Sequence, residues 1–266
     1  PSDSVALSSG RSAGVVQEQH RAASASPVPR SLLHHMAYVL GQRHRTIERA
    51  LQLLPMETTL PNGSRIVLTP LDEAALEACR LMFNLEMQQG ISYPQDFEHS
   101  PEQFRAYFWS HEAFVARVVA PDGGEAPSAE AASAAVAPDA AAPFTPGAVV
   151  GMFYIKPNFP GRSSHICNGG FVVAAGARRQ GIARFLAGCF LPLARALGYE
   201  ASMFNLVYVN NTASLTLWRS LGFRELGVVP RAGRLADGSY VDAVQFYYDL
   251  TTLTLPPDPP QPQPHA

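Results

Sequence analysis

The residues in this chain best placed to do chemistry form one continuous run. A strand-like stretch, Cys167 to Val173, passes through Ala174-Ala175-Gly176-Ala177 into Arg178-Arg179-Gln180-Gly181-Ile182-Ala183-Arg184 and on into an apolar-striped helix. A strand that feeds a helix in this way leaves the first helical N–H groups unpaired and sets the positive end of the helix dipole at the turn, which is an anion site. Gly181 and Ala183 keep the approach open. Arg178, Arg179 and Arg184 can add charge-assisted hydrogen bonds, so a pyrophosphate fits there. Taken alone, the same string also describes an ordinary tight turn with solvated arginines.

Two amides stand out on otherwise apolar strands, Asn168 and Asn205. A buried amide without partners costs about 1–3 kcal/mol, so each either satisfies nearby backbone or orients a polar ligand. His165 and Cys167 have no acid or further ligand at a useful spacing, and neither a nucleophile nor a metal site is expected. Cys189 falls on the apolar face of the helix and reads as core. Downstream, Asn211-x-x-Ser214-x-x-x-Trp218-x-x-x-Gly222-Phe223 describes a second helix, opened by Asn211 and closed by Gly222.

These two motifs, in this order and context, resemble the GNAT superfamily of acyl-coenzyme-A-dependent N-acetyltransferases. The resemblance covers most of Arg65 to Leu250, weakly before Gly151 and well after it. It implies that the coenzyme A pyrophosphate sits on Arg178, Gly181 and Ala183, with Arg179, Gln180, Ile182 and Arg184 around it. It further implies that Asn211, with Ser214, contacts the pantetheine arm, and that the thioester lies between Asn168–Val173, including Phe171 and Val172, and Met203–Val207. Three longer strings, Ser164-His165-Ile166-Cys167-Asn168-Gly169-Gly170-Phe171, Phe204-Asn205-Leu206-Val207-Tyr208 and Tyr240-Val241-Asp242-Ala243, are similar to the fungal enzymes that acetylate the proline analogue L-azetidine-2-carboxylate. That likeness implies that Asn168 and Asn205 orient the amine and carboxylate of a small substrate, with acetyl-CoA as co-substrate and a homodimer as the assembly.

Such chemistry needs an uncharged amine, a thioester carbonyl and fixed donors for the oxyanion. A local break in strand pairing near Phe171 to Val173 would free backbone N–H groups for that purpose. No carboxylate lies on either strand, so the expected base is a water held by the two amides. Trp218 stands where many relatives carry a proton-donating Tyr, which leaves Tyr208, or unassisted departure of the thiolate. A non-catalytic coenzyme-binding module and a protein acetyltransferase are the rival functions.

The elements that must position these residues alternate as in an α/β fold. Strands are expected at Arg65–Thr69, Ala113–Val119, Val149–Ile155, Ile166–Val173, Ala201–Val207 and Ala243–Tyr248. Helices are expected at about 31–54, 70–89, 100–109, 181–197 and 211–221. The resemblance implies a mixed twisted sheet of about six to seven strands with helices on both faces. Residues 31–250 read as one domain, with disorder expected at 1–30, in the Ala/Pro-rich insert at 120–147, and in the Pro-rich tail at 251–266. The opening stretch carries Arg11, Arg21 and Arg30 in a Ser/Ala background, but Asp3 and Glu18 speak against a transit peptide. A hydrophobic fraction of 47% supplies a core, and a formal charge of −2 gives no attraction for nucleic acid or membrane. Three scattered cysteines point to a reducing, cytoplasmic setting, with mitochondrion and nucleus left open.

Overall fold

The structure, a computed structural model, describes residues 47–120 and 144–257. The disorder expected at 1–30, the helical residues expected at 31–46, nearly all of the insert and the end of the tail lie outside the described residues. The remainder builds one sheet of eight strands in the order β1-β2-β3-β4-β5-β6-β8-β7. In chain order these are β1 (Met56–Thr59), β2 (Arg65–Pro70), β3 (Glu112–Val118), β4 (Val149–Pro157), β5 (Ile166–Val173), β6 (Ala201–Tyr208), β7 (Arg224–Arg234) and β8 (Tyr240–Asp249). The helices are α1 (Glu48–Leu51), α2 (Glu73–Gln89), α3 (Pro101–Phe108), α4 (Ile182–Ala196) and α5 (Thr212–Ser220). The fold class is the expected one, with a strand more than the six to seven anticipated. β1 is four residues long and pairs only through the Pro61-Asn62-Gly63 turn, while β7 carries Gly227, Pro230 and Gly233, which a sequence reading takes as breakers. An edge strand tolerates them because one of its sides needs no ladder.

Local chemistry sets the helix ends. The Asp72 side chain accepts from the Ala75 N–H, and Gly90 closes α2 in the left-handed region at φ 60°. Ser100 and Gln103 form a reciprocal capping box with Pro101 in the first turn of α3. Near the end of the described chain, Asp249 caps Thr251 in a single 3-10 turn, and Leu253 and Leu255 pack on the core, so the polypeptide follows the domain beyond Leu250.

β4 is buried on both faces, and its residues alternate between two hydrophobic clusters. Val150, Phe153 and Ile155 face α4 and α5, whereas Val149, Met152 and Tyr154 face α2 and α3. From Met152 to Ile155 this is the period of two expected for a strand covered by helices on each side, and an extra residue at Val150, where Ala116 pairs with Gly151 but Arg117 with Val149, shifts the phase before it. Phe153, Phe171, Phe190, Phe204, Trp218 and Phe223 form a continuous aromatic stack, with Phe204 and Trp218 centroids 4.5 Å apart. Trp218 is packing, as its apolar neighbours Leu217 and Leu221 imply.

Lys156 is the unusual member of this interior, at 5% exposure. Its ammonium sits 4.1 Å from the ring centroids of both Tyr107 and Tyr154 and donates to the Tyr107 carbonyl at 3.3 Å. Burial pushes its pKa from the ordinary 10.5 down to about 8. A lysine whose folded pKa is depressed binds fewer protons than the unfolded chain between those two values, so stability rises with pH across that window. Wild-type protein should therefore gain about 1–3 kcal/mol from pH 8 to 10.5 in denaturant unfolding. Lys156→Met should lack that gain and be the more stable protein below pH 8; parallel curves for the two would show that the ammonium is not penalised by its site.

Candidate active site

β5 and β6 pair in parallel at only two positions, Ile166 with Ala201 and Cys167 with Ser202, and then part. Beyond that point they wall a cleft of about 840 Å³, closed on other sides by the C-terminal end of α2, the loop through Ile91–Pro94, and the starts of α4 and α5. Phe171, Val172, Val173, Arg178, Arg179, Gly181, Ile182, Ala183, Arg184, Asn168, Asn205, Asn211 and Ser214 all line it. Gln180, between Arg179 and Gly181, is half-buried and is not among the residues that line the cleft.

The expected break in strand pairing is not where the sequence placed it. β5 pairs with β4 without interruption from Cys167 opposite Pro157 to Val173 opposite Gly151. The irregularity lies in β6, where Phe204 pairs with Phe246 but Val207 with Val244, so β6 carries one extra residue at Asn205–Leu206. A bulge there bends the strand and re-aims its side chains. The free N–H groups of β5 have a different origin. The Ile166 carbonyl and the Ala174 N–H both bond toward β4, so by antiparallel alternation the main-chain groups of Gly169, Phe171 and Val173 face the gap. The Tyr93 hydroxyl donates to the Phe171 carbonyl across that gap at 3.1 Å. The N–H groups of Phe171 and Val173 are thus a natural pair of donors for a carbonyl oxygen lying in the cleft.

The turn after β5 is built as the anion reading requires. Arg179 and Gly181 take left-handed conformations, at φ 65° and 85°. A Cβ on Gly181 would meet nothing within 4 Å, so the space beside it is open. No side chain caps α4, and its first helical bond runs from the Phe185 N–H to the Gly181 carbonyl, which leaves the N–H groups of Ile182, Ala183 and Arg184 for a ligand. Arg184 also donates to Ser220 of α5 at 3.0 Å. Asn211 caps α5 by accepting from the Ser214 N–H at 3.2 Å, and its amide nitrogen is left to donate elsewhere. Arg178 is engaged: its guanidinium bonds the carboxylate of Glu86 from α2.

Asn168 and Asn205 meet through a residue the sequence did not mark. The Oδ1 of Asn158, just beyond β4, accepts from Asn168 at 3.0 Å and from Asn205 at 2.6 Å, and Asn158 donates back to Asn205 at 2.9 Å. The acceptor that both amides share is therefore a side chain. Asn168 keeps its own carbonyl oxygen uncommitted. Nothing local in the string Pro157-Asn158 marks this role, since it depends on side chains brought in by β5 and β6. Tyr93, Tyr107 and Tyr154 were likewise missed, and burial holds all three hydroxyls above their ordinary pKa. Burial also raises the hydroxyl of Tyr208, which lines the cleft and so carries its proton at neutral pH. Burial pushes the Cys79 and Cys189 thiols up to about 12. Among the described residues no cluster of His, Cys, Asp or Glu can hold a metal ion.

Comparison with known proteins bears on the same elements. Residues 85–223 match the Acetyltransferase (GNAT) family. The chain is 36% identical over 183 residues to N-acetyltransferase aca1 of Schizosaccharomyces pombe, spanning 68% of this chain and 83% of that protein. A GCN5-related N-acetyltransferase from Kribbella flavida superposes with a TM-score of 0.56 at 27% identity, over 69% of this chain and 97% of its own. The phosphinothricin acetyltransferase of Sinorhizobium meliloti, solved in complex with AcCoA, shares the fold at 16% identity with a TM-score of 0.55, over 69% and 88% of the two chains. With two splayed strands, an uncapped helix start and these matches in register, the chain belongs to the GNAT family of acetyltransferases, enzymes that take an acetyl group from acetyl-CoA and pass it to an amine.

Proposed function

We propose that this chain acetylates the nitrogen of a small amino-acid-like amine, with a cyclic secondary amine such as azetidine-2-carboxylate as the favoured acceptor. The observation that favours a small acceptor over a protein is the form of the cleft beside the Asn158–Asn168–Asn205 network. Tyr93, Tyr107 and Tyr154 wall that end, and Gly170 lies so close to Tyr154 that a Cβ there would come within 2.5 Å of the ring. Amides give a compact polar substrate directional partners, and aromatic walls cover its ring carbons.

In this reading the coenzyme diphosphate takes the N–H groups of Ile182, Ala183 and Arg184, with Arg178, Arg179 and Arg184 supplying charge. Asn211 and Ser214 follow the pantetheine arm, and the thioester carbonyl points at the N–H groups of Phe171 and Val173. Asn168 offers its free oxygen to the substrate amine, while Asn158 and Asn205 hold that side chain in place. Attack on the carbonyl carbon forms the C–N bond, and collapse expels the sulfur, for which Tyr208 is the proton-bearing neighbour.

Purified protein incubated with acetyl-CoA should release thiol with azetidine-2-carboxylate and not with peptides; the reverse pattern would remove the small-acceptor reading. Asn158→Ala, Asn168→Ala and Asn205→Ala should each lower turnover by about 10- to 100-fold, or roughly 1.4–2.7 kcal/mol, with acetyl-CoA affinity unchanged by calorimetry. Wild-type turnover in all three would take the amides out of the site. Gly181→Glu, which adds charge and bulk at the open turn, should abolish acetyl-CoA binding, and retained binding would displace the diphosphate from that turn.

A further inference from the structure

Glu86 is the one carboxylate among the described residues that line the cleft, and the only other charged residues there are Arg178, Arg179 and Arg184. It sits near the end of α2 at 8% exposure. One carboxylate oxygen bonds the Arg178 guanidinium and the other accepts from the Ser92 hydroxyl at 2.8 Å. The residue after Ser92, Tyr93, reaches the Phe171 carbonyl, so Glu86 on α2 is tied through Ser92 to the loop that meets the gap where the thioester is placed. With three arginines against one carboxylate, the free cleft repels an ammonium group.

Resting on the proposed phosphate site, we propose that Glu86 is the proton acceptor for the amine, masked by Arg178 in the free protein and released when the coenzyme diphosphate draws Arg178 away. Phosphate oxygens are stronger partners for a guanidinium than a single carboxylate. Once Arg178 turns to them, Glu86 is a buried anion lacking a cation, and the incoming ammonium is the group that can replace it. The same phosphates neutralise the arginines that repelled it. The ammonium gives one proton to Glu86. The nitrogen lone pair then forms the C–N bond at the thioester carbon, the C–S bond breaks with its electrons on sulfur, Tyr208 gives its hydroxyl proton to the thiolate, and the second nitrogen proton restores Tyr208. Glu86 returns its proton to solvent, so amide, thiol and one proton leave. Binding is therefore ordered, with the coenzyme first.

Calorimetry on the full chain tests this with coenzyme A, acetyl-CoA and azetidine-2-carboxylate, alongside steady-state rates. In the wild type, saturating coenzyme A should tighten amine binding at least tenfold, and Glu86→Gln should erase that coupling. The same variant should bind acetyl-CoA several-fold more tightly, because Arg178 has lost its competitor, while kcat falls about 100-fold; Arg178→Gln should instead weaken acetyl-CoA. A structural role for Glu86 predicts the opposite, with acetyl-CoA affinity and turnover lost together, and that result would overturn the inference, as would wild-type turnover in Glu86→Gln. Loss of turnover in Lys156→Met but not in Glu86→Gln would assign the proton to the buried lysine and end the proposal. Unchanged acetyl-CoA affinity in both Arg178→Gln and Gly181→Glu would instead bring down the phosphate site, and this inference with it.

Discussion

Two parallel strands that stay hydrogen-bonded have no room between them, and the active cleft exists because β5 and β6 stop pairing after Cys167 and Ser202. Everything else at the site is arranged around the main-chain groups that this parting exposes. The sheet tolerates the loss because each strand keeps its other neighbour, β4 for β5 and β8 for β6. The bulge at Asn205–Leu206 supplies the bend, and the Phe171–Phe204–Trp218 contacts fill the apolar side of the opening. The exposed N–H groups of Phe171 and Val173 are held rigidly by the ladder behind them. Fixed donors of this kind stabilise a developing oxyanion without reorganising during the reaction.

The two ends of the cleft use different physics. At the α4 end, unpaired helix N–H groups, a left-handed glycine and flexible arginines suit a large, hydrated polyanion that needs charge more than shape. At the other end, interlocked amides and buried tyrosines suit a compact ligand that must be oriented. Glu86 touches both regimes, since it bonds an arginine of the phosphate turn and also accepts from Ser92 of the aromatic loop. Such a contact couples the occupancy of one end to the electrostatics of the other.

Several features were legible from residue order because they are local. The strand–turn–helix at 166–197 follows from an apolar run, small residues and a 3.6-residue stripe, and α2, α3 and α5 announce themselves through Asp72, Ser100 and Asn211 as caps. β7 was illegible because its glycines and Pro230 imitate a loop, and only its pairing with β8 makes it a strand. Asn158 was invisible because an asparagine after a strand is ordinary until its side chain meets Asn168 of β5 and Asn205 of β6.

By itself the sequence determined which short segments could form and which of them could receive an anion, since caps, glycines and apolar periods act within a few residues. It also carried the family, because the phosphate turn and the later Asn-led helix are contiguous strings. Only tertiary structure decided that the irregularity near the cleft lies in β6 and not in the pairing of β5, that three asparagines meet at one oxygen, and that Glu86 stands against Arg178. Those contacts join residues up to 92 positions apart in the chain, and no local rule registers one strand against another or aims a buried side chain across a cleft.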